Sequence, residues 1–291
     1  MVERINLEMP SDFNFRTAVF SHGWYDLAPF RLDAENWKLS GVFRDVDEDP
    51  VQATIFVEDN KLVIDTEAKL VDPSRLIRDV RHIFRLDEEL DEFYRLTNRQ
   101  KRLKWVSEMN AGRLLRSPTV FEDLVKTICT TNCSWALTKS MVANLVEKLG
   151  EASSTGQKAF PTADAMAAAS SDFYRDEIRA GYRSPYFAEL AKKVADGSLD
   201  PESWLDSELP TPELKKAMKT VKGVGDYAAE NLLKLVGRYD GLALDSWLRS
   251  QFYKKHNNGD VCDDKQIALF YEEFGRWRGL AIWCDMTEKW H

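Results

Sequence analysis

The chain predicts an α+β fold, a small antiparallel sheet followed by a mainly helical domain. Three observations carry that expectation. Up to about Asp65, apolar residues come in short alternating or aromatic-rich runs broken by Gly, Pro, Asp and Asn. After Asp72-Pro73 they recur at three and four residues, the helical spacing. Further on, two amphipathic segments are joined by a short glycine-bearing turn. With 291 residues the chain can bury a substantial core, and two units are expected: residues 1–90, the sheet with a trailing helix, and residues 91–291, a helical domain of two lobes.

Taken in order, "FNFRTAVFSHGWYDLAPF", "NWKLSGVFRD", "VQATIFVED" and "KLVIDTEA" read as strands, with Asp59 and Asn60 as the turn of a hairpin. In "SRLIRDVRHIFRL", Leu76, Ile77, Val80, Ile83 and Phe84 share one face of a helix. Further helices are expected over about 90–95, 120–129, 135–149, 162–168, 185–196, 212–220, 227–236, 245–255 and 264–283. "RQKRLKW", Arg99 to Trp105, is a basic run of the kind that most often forms a solvated helix face. The small-residue stretch Gly150 to Ser171 reads as a loop entering a short helix between the lobes.

Composition excludes several classes. A hydrophobic fraction of 44% and a charged fraction of 30% are ordinary for a globular protein. No stretch of about 18 uncharged apolar residues occurs, and the opening "MVERINLEMPSDFNF" has no apolar core, so neither a membrane span nor a secretory signal is expected. A cytoplasmic monomer is the expectation. Cys129, Cys133, Cys262 and Cys284 form no C-x-x-C pair, which argues against a zinc ribbon, an iron-sulfur loop or a disulfide framework. A net charge of −8 argues against a protein that coats nucleic acid through a basic surface. It leaves room for a few aimed contacts, because backbone amides and helix N-termini carry no formal charge.

Residues 214–236 read as a helix-hairpin-helix. The first helix ends near Thr220, Gly223 and Gly225 permit a tight turn, and the second helix packs through Ala228, Ala229, Leu232, Leu233 and Leu235. The amides of Gly223, Val224 and Gly225, leading into a helix N-terminus, form a concave anion site that a phosphate can approach. Asp245 follows in "LALDSWLR", at a loop-to-helix junction. There it is an N-cap and, if it faces a cleft, a carboxylate able to stabilise a developing positive charge. "VKTICTTNCSWA" is an apolar helix with a polar end at Thr130, Thr131 and Asn132, either a plain helix stop or a tip that touches something.

The stretch Val221 to Arg249 resembles the signature of the helix-hairpin-helix DNA glycosylase superfamily, a hairpin followed by a loop and an aspartate. "SPTVFEDLVKTICTTNCSWALTKSMVANLVEKLG" and "AGYRSPYFAELAKKV" resemble the 8-oxoguanine branch, and the opening is more loosely similar to the sheet domain shared with bacterial 3-methyladenine glycosylases. The resemblance implies an enzyme that flips a damaged nucleotide from double-stranded DNA and cleaves the bond between base and deoxyribose. It implies Asp245 as the catalytic carboxylate, Tyr182 as a wedge in the base stack, Asn132 in the vacated space and Arg183 on the opposite strand or its phosphate. The main-chain carbonyls of Lys219, Val221 and Val224 would hold a K+ or Na+ ion beside the amides of Gly223, Val224 and Gly225.

Where strand-cutting members of that family carry a lysine nucleophile, this chain has Tyr227, so a monofunctional glycosylase with water as nucleophile is expected. Lys222, inside the hairpin, is a poor substitute. The C-terminal segment lacks the four cysteines of the iron-sulfur branches, so no such cofactor is expected. Trp24, Tyr25, Trp135 and Tyr227 form the expected base pocket, with Phe270, Tyr271 or Phe274 as a further wall, and Trp277, Trp283 and Trp290 are assigned to packing. The electron-rich lining and the missing lysine lean slightly to alkylated purines such as 3-methyladenine. An 8-oxoguanine-type enzyme, a non-catalytic helix-hairpin-helix DNA-binding protein and a structural helical domain are the alternatives.

Overall fold

The structure, a computed structural model, describes residues 3–291, so Met1 and Val2 of the N-terminal segment considered above lie outside the described residues. Strands β1 (Glu3–Glu8), β2 (Arg31–Asp33), β3 (Lys38–Arg44), β4 (Pro50–Glu58) and β5 (Lys61–Thr66) form one sheet in the order β1-β5-β4-β3-β2, antiparallel throughout. Three of the expected strands are therefore present. Asp59 and Asn60 both take positive φ, 50° and 60°, as a two-residue hairpin turn matching strand twist requires.

The first expected strand is not one. Within Phe13 to Phe30 the chain forms helix α1 (Phe15–Val19) and a 3₁₀ turn, Gly23–Asp26. Asn14 decides this locally, because its side chain accepts from the amides of Arg16 and Thr17 and so caps a helix. Phe13 and Phe15 then pack on Phe84. The strand that the sequence reading missed, β1, pairs along β5 from the edge; its apolar residues Ile5 and Leu7 stand among charges that blunt their alternation.

The helices are α2 (Ser74–Phe84), α3 (Asp91–Asn98), α4 (Lys104–Glu108), α5 (Val120–Thr130), α6 (Trp135–Leu149), α7 (Ala163–Ala167), α8 (Ser171–Asp176), α9 (Ser184–Ala195), α10 (Thr211–Met218), α11 (Asp226–Leu235), α12 (Ser246–His256), α13 (Asp264–Phe270) and α14 (Arg278–Thr287). The short α4 and α8 were not expected. Side chains of Thr119, Ser134, Thr162 and Ser170 cap α5, α6, α7 and α8. The single helix expected over 264–283 is two, separated by a 3₁₀ segment in which Gly275 has φ 52° and ψ −122°, outside the helical region.

Apolar side chains gather in two clusters. One joins the inner face of the sheet (Leu39, Ile55, Ile64) to α5, α6, α9 and α11 through Leu124, Met141, Phe187 and Leu232. The other begins at Leu90 and joins Phe93 and Leu103 to α12 and α14 through Phe252 and Leu280. In the basic run, Arg102 lies over the Phe270 ring and 3.4 Å from Asp285, which makes that residue part of the packing. Among the described residues, no helix is long and apolar enough to cross a membrane.

Candidate active site

The hairpin forms as its glycines require. The amide of Val224 donates to the Val221 carbonyl at 3.0 Å, closing the turn, and Gly223 takes φ 92°, where a side chain would be strained. A Cβ at Gly223 would also meet the Tyr186 ring at 3.0 Å, whereas a Cβ at Gly225 would meet no protein atom within 4 Å. Gly225 is the N-cap of α11 and has no side chain to satisfy the first amides of the helix. Lys222, on the turn, is held by Glu189 at 2.6 Å and does not line the cavity described next.

A cavity of about 750 Å³ lies beside the hairpin, its wall drawn from both apolar clusters. Trp24, Tyr25, Trp135 and Tyr227 all line it, and so does Asp245, so residues far apart in sequence meet in one place. Asp245 is the N-cap of α12, and its Oδ1 accepts from the Leu248 amide at 2.6 Å, which gives the carboxylate a fixed direction. The loop before it is tied to α11, since the Ala243 amide donates at close range to the Glu230 carboxylate, itself 2.6 Å from Lys215. Burial, reinforced by the Asp245 charge, pushes the Tyr227 phenol up to about 12, so it is protonated at neutral pH.

The aromatic walls are fastened at their polar edges. Trp24 Nε1 donates to Asp123 at 2.6 Å, and burial raises that carboxyl to about 6. Trp135 Nε1 donates to Asp26 at 2.9 Å, and Asp26 also pairs with Lys139. Trp135 lies over Gly23 so closely that a Cβ there would fall 2.4 Å from the indole. His22 donates to the Leu115 carbonyl, and burial pushes its imidazole down to about 4, so it is neutral.

The polar end of α5 is an exposed tip. Asn132 has φ 48° and is exposed, and its Nδ2 stands 3.5 Å from the hydroxyl of Tyr182, itself 50% exposed. The Tyr182 hydroxyl also donates to the Thr131 carbonyl at 3.3 Å. Arg183 is placed differently from the expectation of a DNA contact. It is buried, and its Nε donates to the Ile128 carbonyl at 3.1 Å and to Thr131 at 3.3 Å. The Ile128 carbonyl near the C-terminus of α5 also accepts from the amide and hydroxyl of Thr131, so Arg183 reinforces the helix end from beneath the tip. Cys129 is in the core, where burial pushes its thiol up to about 12.

Two aromatic assignments are corrected. Phe270, Tyr271 and Phe274 do not line the cavity; Phe270 packs edge-on against Phe252, and the Arg249–Asp264 ion pair at 2.8 Å holds α13 against α12. Trp283 and Trp290, assigned to packing, do line it, together with Trp247, and only Trp277 stays in the core. The three indoles lie 5.6 to 6.1 Å apart, and Trp283 Nε1 donates to the Ser21 carbonyl at 2.7 Å. Lys234, on the wall, was also missed. Among the described residues, no cluster of three His, Cys, Asp or Glu side chains could hold a metal ion, and all four cysteines are free.

No protein-family model matches the chain, and no curated protein matches it in sequence. Solved structures do. A 3-methyladenine DNA-glycosylase from Archaeoglobus fulgidus superposes with a TM-score of 0.78 at 18% identity, over 99% of this chain and 98% of that one. The apo form of an 8-oxoguanine glycosylase/lyase from Clostridium acetobutylicum gives 0.76 at 20% identity, over 98% of each chain. MBOgg1 in complex with a low-affinity DNA ligand gives 0.76 at 20% identity, over 99% of this chain and 96% of that one. With its antiparallel sheet, its helical lobes and the hairpin placed beside the cavity, the chain has the fold of the helix-hairpin-helix DNA glycosylases.

Proposed function

We propose that the protein is a DNA N-glycosylase of base-excision repair, which takes a damaged nucleotide from duplex DNA into the cavity and hydrolyses its N-glycosidic bond. The observation that carries this is the position of Asp245, a directed carboxylate on the wall of an otherwise largely aromatic cavity beside a hairpin built to approach a phosphate. As the bond from C1′ to the base nitrogen breaks, Asp245 stabilises the positive charge on the sugar. The base leaves with the electron pair of the bond; water then adds its oxygen to C1′, and its released proton passes to the departing base or, where that base was already cationic, to solvent. Tyr227 offers a phenol where an amine would be needed for a Schiff base, which favours hydrolysis without strand cleavage.

The hairpin amides of Gly223 and Gly225 serve in this reading as the phosphate contact; the Val224 amide, expected to join them, is instead committed to the Val221 carbonyl and closes the turn. The Val221 carbonyl, already accepting from Val224, keeps a second lone pair, so it can join the carbonyls of Lys219 and Val224 around a K+ or Na+ ion. Such an ion would add positive charge at the phosphate. Tyr182 would enter the base stack, Asn132 would fill the space left by the flipped base, and Arg183 would brace both from below. The protein would act as a monomer on DNA in the cytoplasm. The aromatic walls suit an alkylated purine, whose charge rests well on ring faces; the ammonium of Lys234 opposes a cationic base.

The deciding experiment measures base release from duplexes that each carry one lesion, with borohydride present in a parallel series. Free base and alkali-labile sites without a covalent adduct are expected. An adduct that disappears in Lys222→Ala would overturn the hydrolytic mechanism, and binding without release from any duplex would reduce the protein to a DNA-binding module. Asn132→Ala is expected to slow release by roughly 10-fold or more. Its melting temperature should fall only slightly, by the modest cost of placing alanine at a left-handed position. Equal losses of fold and activity would make the tip a simple helix stop.

A further inference from the structure

The cavity wall holds one cation. Lys234, on α11 two turns beyond Tyr227, is 2% exposed. Its Nζ has one long hydrogen bond, 3.4 Å to the Leu242 carbonyl, and the face of Trp283 at 5.3 Å. Among the described residues it forms no ion pair, in contrast to the equally buried Lys126, which stands 2.6 Å from Glu122. Burial pushes the Lys234 amine down to about 8, which still leaves it largely protonated at neutral pH. With His22 neutral, Lys234 and Asp245 are the two formal charges of the lining.

A buried ammonium with N–H groups to spare is a donor set that lacks an acceptor. Among the described residues the Leu242 carbonyl is its one hydrogen-bond partner, and the carboxylates of Glu230 and Asp245 favour its charge from beyond ion-pair distance without accepting from it. The buried Thr127 hydroxyl nearby on the wall likewise has no protein partner. A methionine at position 234 would fill a similar volume without the cost of burying a charge, so packing does not account for the lysine. An acceptor brought in by a ligand does.

We infer that Lys234 sets the class of base: it donates to a carbonyl oxygen or ring nitrogen of a neutral flipped base, and it disfavours purines that carry a fixed positive charge after N-alkylation. The inference rests on the glycosylase reading. The aromatic walls hold the plane of any base, Asp245 serves the sugar, and Lys234 reads the edge. It reverses the lean toward alkylated purines, which considered the rings without the ammonium.

The test is single-turnover base release by wild type, Lys234→Met and Lys234→Arg. Otherwise identical duplexes carry 8-oxoguanine or hypoxanthine, both neutral and carbonyl-bearing, or 3-methyladenine or 7-methylguanine, both cationic in DNA. Wild type is expected to favour the neutral set. Lys234→Met is expected to lose roughly 10- to 100-fold on that set, the scale of a charge-assisted hydrogen bond, without losing rate on the cationic set. Lys234→Arg should keep the wild-type order. Lys234→Met should melt no lower than wild type, so its loss cannot be put down to unfolding.

An unchanged ratio in Lys234→Met, or a wild type that mainly releases the cationic bases, overturns the inference. So does a borohydride adduct that Lys234→Met removes, since the amine would then be acting on the sugar. Asp245→Asn on the same duplexes separates the two levels. If wild type releases no base at all, the glycosylase reading fails; if release depends on Asp245 but its selectivity ignores Lys234, only the present inference fails.

Discussion

Asp245→Asn is expected to lower base release about 1000-fold while leaving the fold and the affinity for an abasic-analogue duplex close to wild type. The separation follows from the double duty of this side chain. As an N-cap, Asp245 accepts from the Leu248 amide, and asparagine caps about as well as aspartate, so α12 keeps its start. As a charge, it lines a cavity walled by Trp24, Tyr227 and Trp283, where the proposed reaction would place the sugar. Removing one preorganised electrostatic contact of this kind typically costs about 100- to 1000-fold, and a full unit charge belongs at the upper end. Asp245→Ala should lose the same activity and, in addition, about 1 kcal/mol of stability with the cap. The readouts are single-turnover release, a binding titration on the abasic analogue and thermal melting. An Asp245→Asn enzyme retaining more than a tenth of wild-type rate would remove the carboxylate from the mechanism.

The parts of this site that were legible in the sequence are those fixed by local chemistry. The hairpin could be read because Gly223 must take a positive φ, and Asp245 because a capping residue stands where a loop meets an apolar-periodic helix. Other parts depend on what the chain meets far away. Trp283 is indistinguishable from a core residue until its helix brings it to the Ser21 carbonyl, across almost the whole chain. Lys234, in the last turn of α11, reads as an ordinary complement to the helix dipole, and nothing local says that the turn is buried against a cavity. Arg183 beside an exposed tyrosine reads as a DNA contact, because the carbonyl of Ile128 to which it donates lies 55 residues away. In Phe13 to Phe30 the signal was local but misread: aromatic alternation pointed to a strand, and the Asn14 cap overrode it.

Gly279→Ala is expected to destabilise the protein by about 3 kcal/mol and to slow base release by about 100-fold with every cavity residue intact. A Cβ at this position, near the start of α14, would fall 2.0 Å from the carbonyl oxygen of Gly241 and 2.6 Å from that of Tyr239. Both obstacles are backbone, so no side chain can rotate away, and the turn must move by roughly 1 Å before the contact becomes tolerable. The Gly279 amide donates to the same Tyr239 carbonyl at 2.7 Å, and that bond would be strained as the turn moves. The displaced segment leads directly to Ala243, anchored on Glu230, and then to Asp245, so the shift is passed on to the carboxylate. A misplacement of that size is enough to cost two orders of magnitude in a preorganised site. Gly275→Ala is the matched control. It strains the backbone at a glycine in the same region with φ 52° and ψ −122°, but a Cβ there meets nothing within 4 Å, so about 1 to 3 kcal/mol of stability should be lost with base release unchanged. If the two variants proved equally active, α14 would not be what holds Asp245 in place, and the loop's anchorage would have to come from Glu230 alone.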